Sequence, residues 1–387
     1  MRGILSQRLV EIHVRIEGAM FNLALKNLSQ DKTRFLLGTL GVAFANLLVM
    51  FHMAMVIGTF SQITTYIKET RAEIWVLQDG LSDITSSTSF IPSSYVEKIA
   101  QMDGVEKVTG LFLYYTSLKI KSKVANVFLV GYDSESGIGG PWRVSAGKNV
   151  PEDRELIMDK GLAESEGLHV GDTVTVGGQE ITIAGLSDET SAVATQYIFV
   201  PNSAVPTYLN LTNIYNYLLV SAKPNSDIPR IIEEINSLKG VNAYTKEQLA
   251  RNTLKFWGKF LIPLLTALVF VSFLVGATII GIVVYNITLH KEKEYGILLA
   301  LGASAKSIYE TVLYQGMILG ASGFALGIVF SLLTIHIANR EIPGMTARLD
   351  TRVMSISIAI TFLMILGSTI VPLMRTLKID PFEAFRR

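Results

Sequence analysis

Catalysis and metal binding need nucleophiles, ligands or phosphate cradles at workable spacings, and this sequence has few of them. Its five histidines (His13, His52, His169, His290, His336) are scattered, with no second ligand three or four positions away. There is no cysteine, which excludes a disulfide framework, a thiolate metal site, a cysteine nucleophile and a lipid-modified cysteine. No G-x-x-x-x-G-K-[ST] segment occurs to cradle a nucleotide phosphate, and neither G-x-S-x-G nor H-E-x-x-H is present. Asn210-Leu-Thr212 fits a glycosylation acceptor, a triplet that is frequent by chance. The expectation is a chain without a catalytic centre, cofactor or metal.

The informative residues are defined by position instead. His290 to Ser304 reads HKEKEYGILLALGAS, a charged patch turning within a few residues into the apolar block Ile297 to Leu301. That block is too short to cross a bilayer. It suits a short amphipathic helix on the membrane surface, a segment docked on a soluble partner, or a plain connecting loop. Gly316, Gly320, Gly323 and Gly327 recur at i, i+4, i+7 and i+11, which puts them on one stripe that favours close helix packing in lipid. The partner of that stripe is either another helix of this chain or a second copy of it. Asn46 and His52 lie inside an apolar run, where polar groups normally hydrogen-bond to other helices. A proton relay there would need acidic partners, but Glu310 lies at the end of its run and Asp350 lies outside one.

Four long apolar runs must position these residues: Phe35 to Thr59, Leu261 to Ile287, Ile308 to Ile337 and Val353 to Leu373. Each is long enough for a helix to cross the roughly 30 Å hydrocarbon core. At 387 residues, 49% hydrophobic and 17% charged, the chain is too apolar for an ordinary soluble protein. The first run is too long, and too far from the N-terminus, for a signal peptide. Lys and Arg number six in residues 1–34, three in 290–307 and four after Leu373, against three in the short loop 339–352. That bias places both termini in the cytoplasm and residues 61–260 outside it. The 61–260 segment carries 18 basic against 23 acidic residues, so it is not a nucleic-acid surface.

Residues 4–28 place Leu5, Leu9, Ile12, Ile16, Met20, Leu23 and Leu28 near a helical period, as in a helix lying against membrane lipid or a soluble helical cap. In 61–260, Glu73 to Leu77 reads as a strand, Pro92 opens a helix to Met102, and a strand follows around Leu111 to Ile120. Ile-Pro, a helix, then Gly-Val occurs at Ile91 to Val105 and again at Ile228 to Val241, which suggests two related α/β lobes. Val174, Val176, Ile181 and Ile183 flank Gly177-Gly178 as a hairpin with one buried face. Tyr114, Tyr115, Phe128, Trp142, Tyr208, Tyr215 and Tyr217 are candidate contact residues, although most aromatics in such a domain are core. Pro263 is expected in the first turn of the second span.

Three segments resemble the FtsX-like, MacB-type permeases of ABC systems. KEYGILLALGAS is similar to the family's coupling segment, with Glu294, Gly296, Ala300, Gly302 and Ala303 on the pattern and Ile297 in its apolar block; Leu299 departs where many relatives carry a basic residue. LAESEGLHVGDTVTV resembles part of the MacB-type periplasmic domain. The tail LKIDPFEAFRR is similar to the family's ending, through Asp380, Pro381, Glu383, Ala384 and Arg386; as a bare sequence it also reads as a frayed basic tail. The resemblance implies an α-helical membrane domain of four transmembrane helices, with an α/β extracytoplasmic domain inserted between helices 1 and 2. Its parts would be an interfacial helix (1–34), the first span (35–60), the MacB-type domain (61–260) and the FtsX-like domain (261–387), with the coupling segment at 290–304. It further implies an inner-membrane homodimer driven by a separate cytoplasmic ABC ATPase, for export with a periplasmic adaptor and outer-membrane duct. The alternatives are lipoprotein release and non-transporting regulation of a cell-wall hydrolase or sensor.

Overall fold

The computed structural model describes residues 20–193, 195–301, 303–341 and 345–376. Residues 20–30 form helix α1, whose buried Ala24, Asn27 and Leu28 share one face. Four long apolar helices follow in the chain: α2 (Lys32–Glu69), α7 (Lys246–His290), α9 (Ala305–Glu341) and α10 (Thr351–Thr376). Short polar side chains start two of them. The Asp350 carboxylate accepts from Val353 N (2.8 Å) at α10, and Ser304 Oγ accepts from Ser307 N (3.2 Å) at α9.

Two of these helices are far longer than a bilayer needs. At 38 and 45 residues, α2 and α7 are about 57 and 67 Å long at 1.5 Å per residue, against a core of about 30 Å. Helix α7 begins at Lys246 because Thr245 and Gln248 form a reciprocal capping box. Gln248 N donates to Thr245 Oγ1 (3.1 Å), and Thr245 N donates to Gln248 Oε1 (3.0 Å). Pro263 therefore lies inside the helix rather than in its first turn, because the helix starts seventeen residues upstream of it. The chain divides into two compact units at Val56/Ile57 on α2 and at Ile262/Pro263 on α7.

The inserted unit contains a ferredoxin-like split β-α-β. Strand β1 (Ile74–Gln78), helix α3 (Ser94–Ala100) and strand β3 (Val105–Ile120) form one half; β12 (Tyr217–Ala222), α6 (Ile228–Asn236) and β13 (Val241–Thr245) form the other. The strand order β13-β1-β12-β3 is antiparallel throughout. The two Ile-Pro–helix–Gly-Val segments are thus halves of one lobe, not two lobes: Ile99 of α3 and Ile231 and Ile235 of α6 pack on the same face of one sheet, against Ile74, Val76, Leu218 and Val220. Trp75, Leu77, Tyr217 and Leu219 point the other way, onto Tyr66 and Ile67 of α2 and Leu249 and Ala250 of α7. Burial on both faces explains why β1 reads as an unbroken apolar run.

A β-rich part is inserted within this lobe. Beyond Leu111, β3 pairs with β4 (Lys123–Tyr132), and the sheet continues through β10 (Thr195–Pro201), β6 (Glu155–Asp159), β8 (Gln179–Ser187) and β5 (Val144–Gly147). β9 (Ser191–Ala192) pairs with β10, and the pair β2 (Ile91–Pro92) and β11 (Ile214–Tyr215) stands apart. Helix α4 (Lys160–Glu166) is capped by Asp159 and ends on Gly167 in the left-handed region. Next comes the hairpin of β7 (Thr173–Val176) and β8, turning at Gly177 (φ 57°) and Gly178 (φ 81°), with Val174, Val176, Ile181 and Ile183 buried. Helix α5 (Val205–Leu209) presents the buried Tyr208, so Tyr208, like Tyr217, is not an exposed surface residue.

Candidate functional site

The segment after α7 folds as helix α8 (Glu292–Ala300). Its C-terminus is closed by Leu301 N to Ile297 O (3.0 Å) and Ala303 N to Leu298 O (2.9 Å), which turns the chain toward α9. Its two faces differ. Tyr295 and Gly296 are buried, and Tyr295, Leu298 and Leu299 pack against Ile308 of α9. Leu299, where the family pattern carries a basic residue, is used here for packing. On the opposite face Lys293, Glu294, Ile297, Ala300 and Leu301 are exposed, with Leu301 at 80%. The spacing i, i+1, i+4, i+7, i+8 makes them one helical stripe, apolar in its last two turns. Glu294 Oε1 accepts from Lys291 Nζ at 2.6 Å.

Tyr295 fixes this helix. Its side chain is 1% exposed, and its hydroxyl accepts from Asn27 Nδ2 of α1 (3.1 Å) and Gln315 Nε2 of α9 (3.2 Å). Asn27 and Gln315 are themselves buried. Burial pushes the Tyr295 hydroxyl up from its usual range, against the lowering effect of the two donated bonds, so it remains protonated. Three segments separated by as many as 268 positions therefore meet at one oxygen. The family resemblance singles out Glu294, Ile297 and Ala300, which are exposed, and Gly296, which is buried; it does not point to Tyr295, Asn27 or Gln315. The available signal was a tyrosine between Glu294 and Gly296, with asparagine and glutamine each standing in apolar surroundings.

The glycine stripe of α9 meets two helices of the same chain. A Cβ on Gly316 would lie 2.8 Å from Thr369 Cγ2, and one on Gly320 would lie 2.6 Å from Ile365 Cγ1, both on α10. One on Gly323 would lie 2.6 Å from Val42 Cβ, and one on Gly327 would lie 2.9 Å from Asn46 Cβ, both on α2. Asn46 is fully buried; its Nδ2 donates to Val42 O (3.1 Å) and its Oδ1 accepts from Thr361 Oγ1 of α10 (2.6 Å). His52 Nδ1 lies 2.7 Å from Leu48 O, one turn back on its own helix. Gly302, Asp380, Pro381, Glu383 and Arg386 lie outside the described residues, as does most of the 1–34 segment. Among the described residues no group of His, Asp and Glu is placed to hold a metal ion.

The sequence matches the MacB-like periplasmic core domain over residues 35–238 and the FtsX-like permease C-terminal domain over residues 266–381. An uncharacterized ABC transporter permease of Methanocaldococcus jannaschii is 24% identical over 82% of this chain and 84% of that protein. A putative hemin transport system permease protein of Staphylococcus epidermidis is 22% identical over 94% of this chain and 98% of that one. Among solved structures, the periplasmic region of MacB from Actinobacillus actinomycetemcomitans is similar at 14% identity and a TM-score of 0.39, covering 48% of this chain and 94% of that one. The extracellular domain of YknZ, a noncanonic ABC-type transporter of Gram-positive bacteria, is similar at 16% identity and a TM-score of 0.35, covering 45% and 98%. With one domain family covering more than half of its length and the second covering its last three spans, the chain belongs to the FtsX-like, MacB-like ABC transporter permeases, as a multi-pass inner-membrane subunit that works with a separate ATPase.

Proposed function

We propose that α8 is the surface on which the cytoplasmic ATPase acts, and that its movement is passed along the membrane helices to reshape the inserted domain on the far side of the bilayer. The observation carrying this reading is the two-faced build of α8. Tyr295 ties the helix to α1 and α9, while Glu294, Ile297, Ala300 and Leu301 form an exposed stripe a partner can push against. Gly302 and Ala303 continue the same segment, and Asp380, Pro381, Glu383 and Arg386 supply a second cytoplasmic element by resemblance. Helices α2 and α7, each continuous from a span into the inserted unit, support transmission over that distance.

Both termini are then cytoplasmic, and two copies of this chain assemble over two ATPase subunits. Helix α7 is less buried within the chain than α2, which leaves a face for lipid or for the second copy this reading requires. Four spans are few for a substrate channel, so the reading favours mechanical work on the outer side, in export through an adaptor and duct. Lipoprotein release and hydrolase regulation differ only in what the inserted domain grips.

The absence of native cysteine makes the test direct. Ala303→Cys and Ser165→Cys are labelled from each side of the membrane, and the Ala303→Cys thiol is cross-linked with the ATPase co-expressed. Cytoplasmic labelling of the first with an ATPase adduct, and outside labelling of the second, is the expected result. Reversed labelling overturns the orientation, and correct sides without an adduct overturn the docking surface.

A further inference from the structure

The inserted domain carries a half-open cavity of about 450 Å³, within the range of small-molecule sites. All fifteen lining residues lie between residues 57 and 262, and none of them is charged. The walls are aromatic and aliphatic: Leu113 and Tyr115 of β3, Phe128 of β4, Tyr197 of β10, Tyr217 of β12 and Trp257 of α7. Tyr115 and Phe128 meet edge to face at 5.3 Å, and Phe128 and Tyr197 are 5.9 Å apart, so the sheet offers the cavity a continuous surface of rings. Thr85, Ser87 and Thr88 contribute hydroxyls from the loop after β1.

That loop is held in place from two sides. Trp257 Nε1 donates to Thr85 Oγ1 (3.0 Å), whose hydroxyl donates to Asp83 Oδ1 (2.8 Å). Tyr217 donates its hydroxyl to Ile84 O (3.2 Å). Tyr197 is different. It is 6% exposed and lines the cavity, and its hydroxyl stays open to the cavity rather than sealed within the protein. A hydroxyl that opens on an otherwise largely apolar wall can donate to an occupant of the cavity in place of water. Burial pushes the Tyr197 hydroxyl up, so it stays a donor throughout the physiological range.

We infer that this cavity binds an uncharged, ring-bearing small molecule that stacks on the Tyr115, Phe128 and Trp257 rings and accepts a hydrogen bond from Tyr197. A charged ligand is disfavoured because no ionised side chain lines the walls to replace its hydration. The occupant would sit against Gln62 and Ile63 of α2 and Trp257 of α7. The inference goes beyond the ATPase-coupling reading and does not depend on it.

The test uses the full-length chain in lipid nanodiscs without its ATPase, so a negative result leaves the coupling reading untouched. Benzophenone, a neutral two-ring ketone, is added and irradiated, and the adducts are mapped by mass spectrometry. Saturable labelling of segments 84–88, 113–128 or 257 is expected, falling at least tenfold in Ala192→Trp, which fills the cavity from its wall. Tyr197→Phe removes the donor and no internal bond; it should leave melting unchanged and weaken half-saturation about fivefold, the equivalent of one net hydrogen bond. Benzanilide, which is not photoreactive, should compete, and dodecan-1-ol should not. Adducts confined to the spans, or equal labelling in Ala192→Trp with unchanged affinity in Tyr197→Phe, would overturn the site. Competition by dodecan-1-ol would overturn the ring preference and assign the cavity to a lipid chain.

Discussion

Tyr295→Phe is the perturbation that best separates a clamp at α8 from simple packing. The substitution keeps the ring and its contacts with Ile308, and deletes one oxygen that accepts two hydrogen bonds. Asn27 Nδ2 and Gln315 Nε2 then remain buried without their acceptor. A buried donor stripped of its partner costs about 1–3 kcal/mol in soluble proteins. Interhelical hydrogen bonds measured in membranes average about 0.6 and reach about 1.7 kcal/mol. Taking the membrane scale for Gln315 on α9 and the soluble scale for Asn27 on α1, the expected loss is about 2–5 kcal/mol. The assay is a double-mutant cycle with Asn27→Leu, read by reversible denaturation in detergent. Replacing both partners by apolar groups leaves no orphan on that side, so the double variant should lose less than the sum of the singles, with a coupling near 1 kcal/mol. Energies that add to within about 0.3 kcal/mol would refute the shared hydroxyl as a joint between α1 and α8. If, as proposed, the clamp also transmits force, ATPase cross-linking at Ala303→Cys should survive in Tyr295→Phe while the nucleotide-dependent change of the inserted domain is lost.

The other expectations follow from single contacts. Gly323→Leu must displace Val42 and approach the Ala43 backbone N, 3.2 Å from the ideal Cβ, and should destabilise the chain by about 1–3 kcal/mol or more; Gly367→Leu, whose Cβ meets nothing within 4 Å, should leave monomer melting unchanged. Thr245→Ala removes one arm of the capping box and should cost about 1 kcal/mol, read as faster hydrogen exchange over residues 246–249 with the spans unaffected. Asp133 loses solvation through partial burial, which raises its pKa, but the bonds from Lys107 (2.8 Å) and Ser136 (2.7 Å) more than reverse this and hold the carboxyl below its ordinary range. Its contribution to stability is therefore complete above the unfolded pKa of about 3.9 and is lost as pH falls through the lower folded value. Lys107→Gln should move the Asp133 carboxyl titration upward by NMR and shift acid unfolding to higher pH, and an unmoved titration would assign the effect to the bonds from Ser136 and the Glu135 backbone N–H.

The spans were legible because about twenty consecutive apolar residues form a one-dimensional signal that needs no partner. Their ends were less so. Hydropathy stops near Leu261, yet α7 starts at Lys246, where Thr245 and Gln248 stand at the capping-box spacing without an apolar run to draw attention to them. The paired Ile-Pro–helix–Gly-Val segments revealed two β-α units, but not that their strands interleave as β13-β1-β12-β3; that order depends on which strands pair across more than a hundred residues. Of the α8 residues that the family resemblance singled out, Glu294, Ile297 and Ala300 are exposed and Gly296 is buried, whereas Tyr295 draws its partners from 268 and 20 positions away. The cavity is harder still to foresee, since its walls come from two helices, five strands and two loops.

The glycines of α9 illustrate how such distances resolve. Their spacing promised a close approach on one face and was silent on what would approach. The complement lies in bulky side chains elsewhere: Ile365 and Thr369 of α10 fill the space over Gly316 and Gly320, and Val42 and Asn46 of α2 fill that over Gly323 and Gly327. The last of these also accounts for a polar residue inside the first apolar run. Asn46 Cβ would be 2.9 Å from a Cβ at position 327, so the asparagine fits there only because the residue opposite is glycine. So seated, its amide carbonyl reaches Thr361 of α10 at 2.6 Å while its amide nitrogen bonds Val42 O. Three helices are thus joined at one buried side chain, and the glycine stripe and the intramembrane asparagine, separate features along the sequence, are two sides of the same contact. Enlarging Gly327 should therefore break the Asn46–Thr361 bond even though neither of those residues is changed.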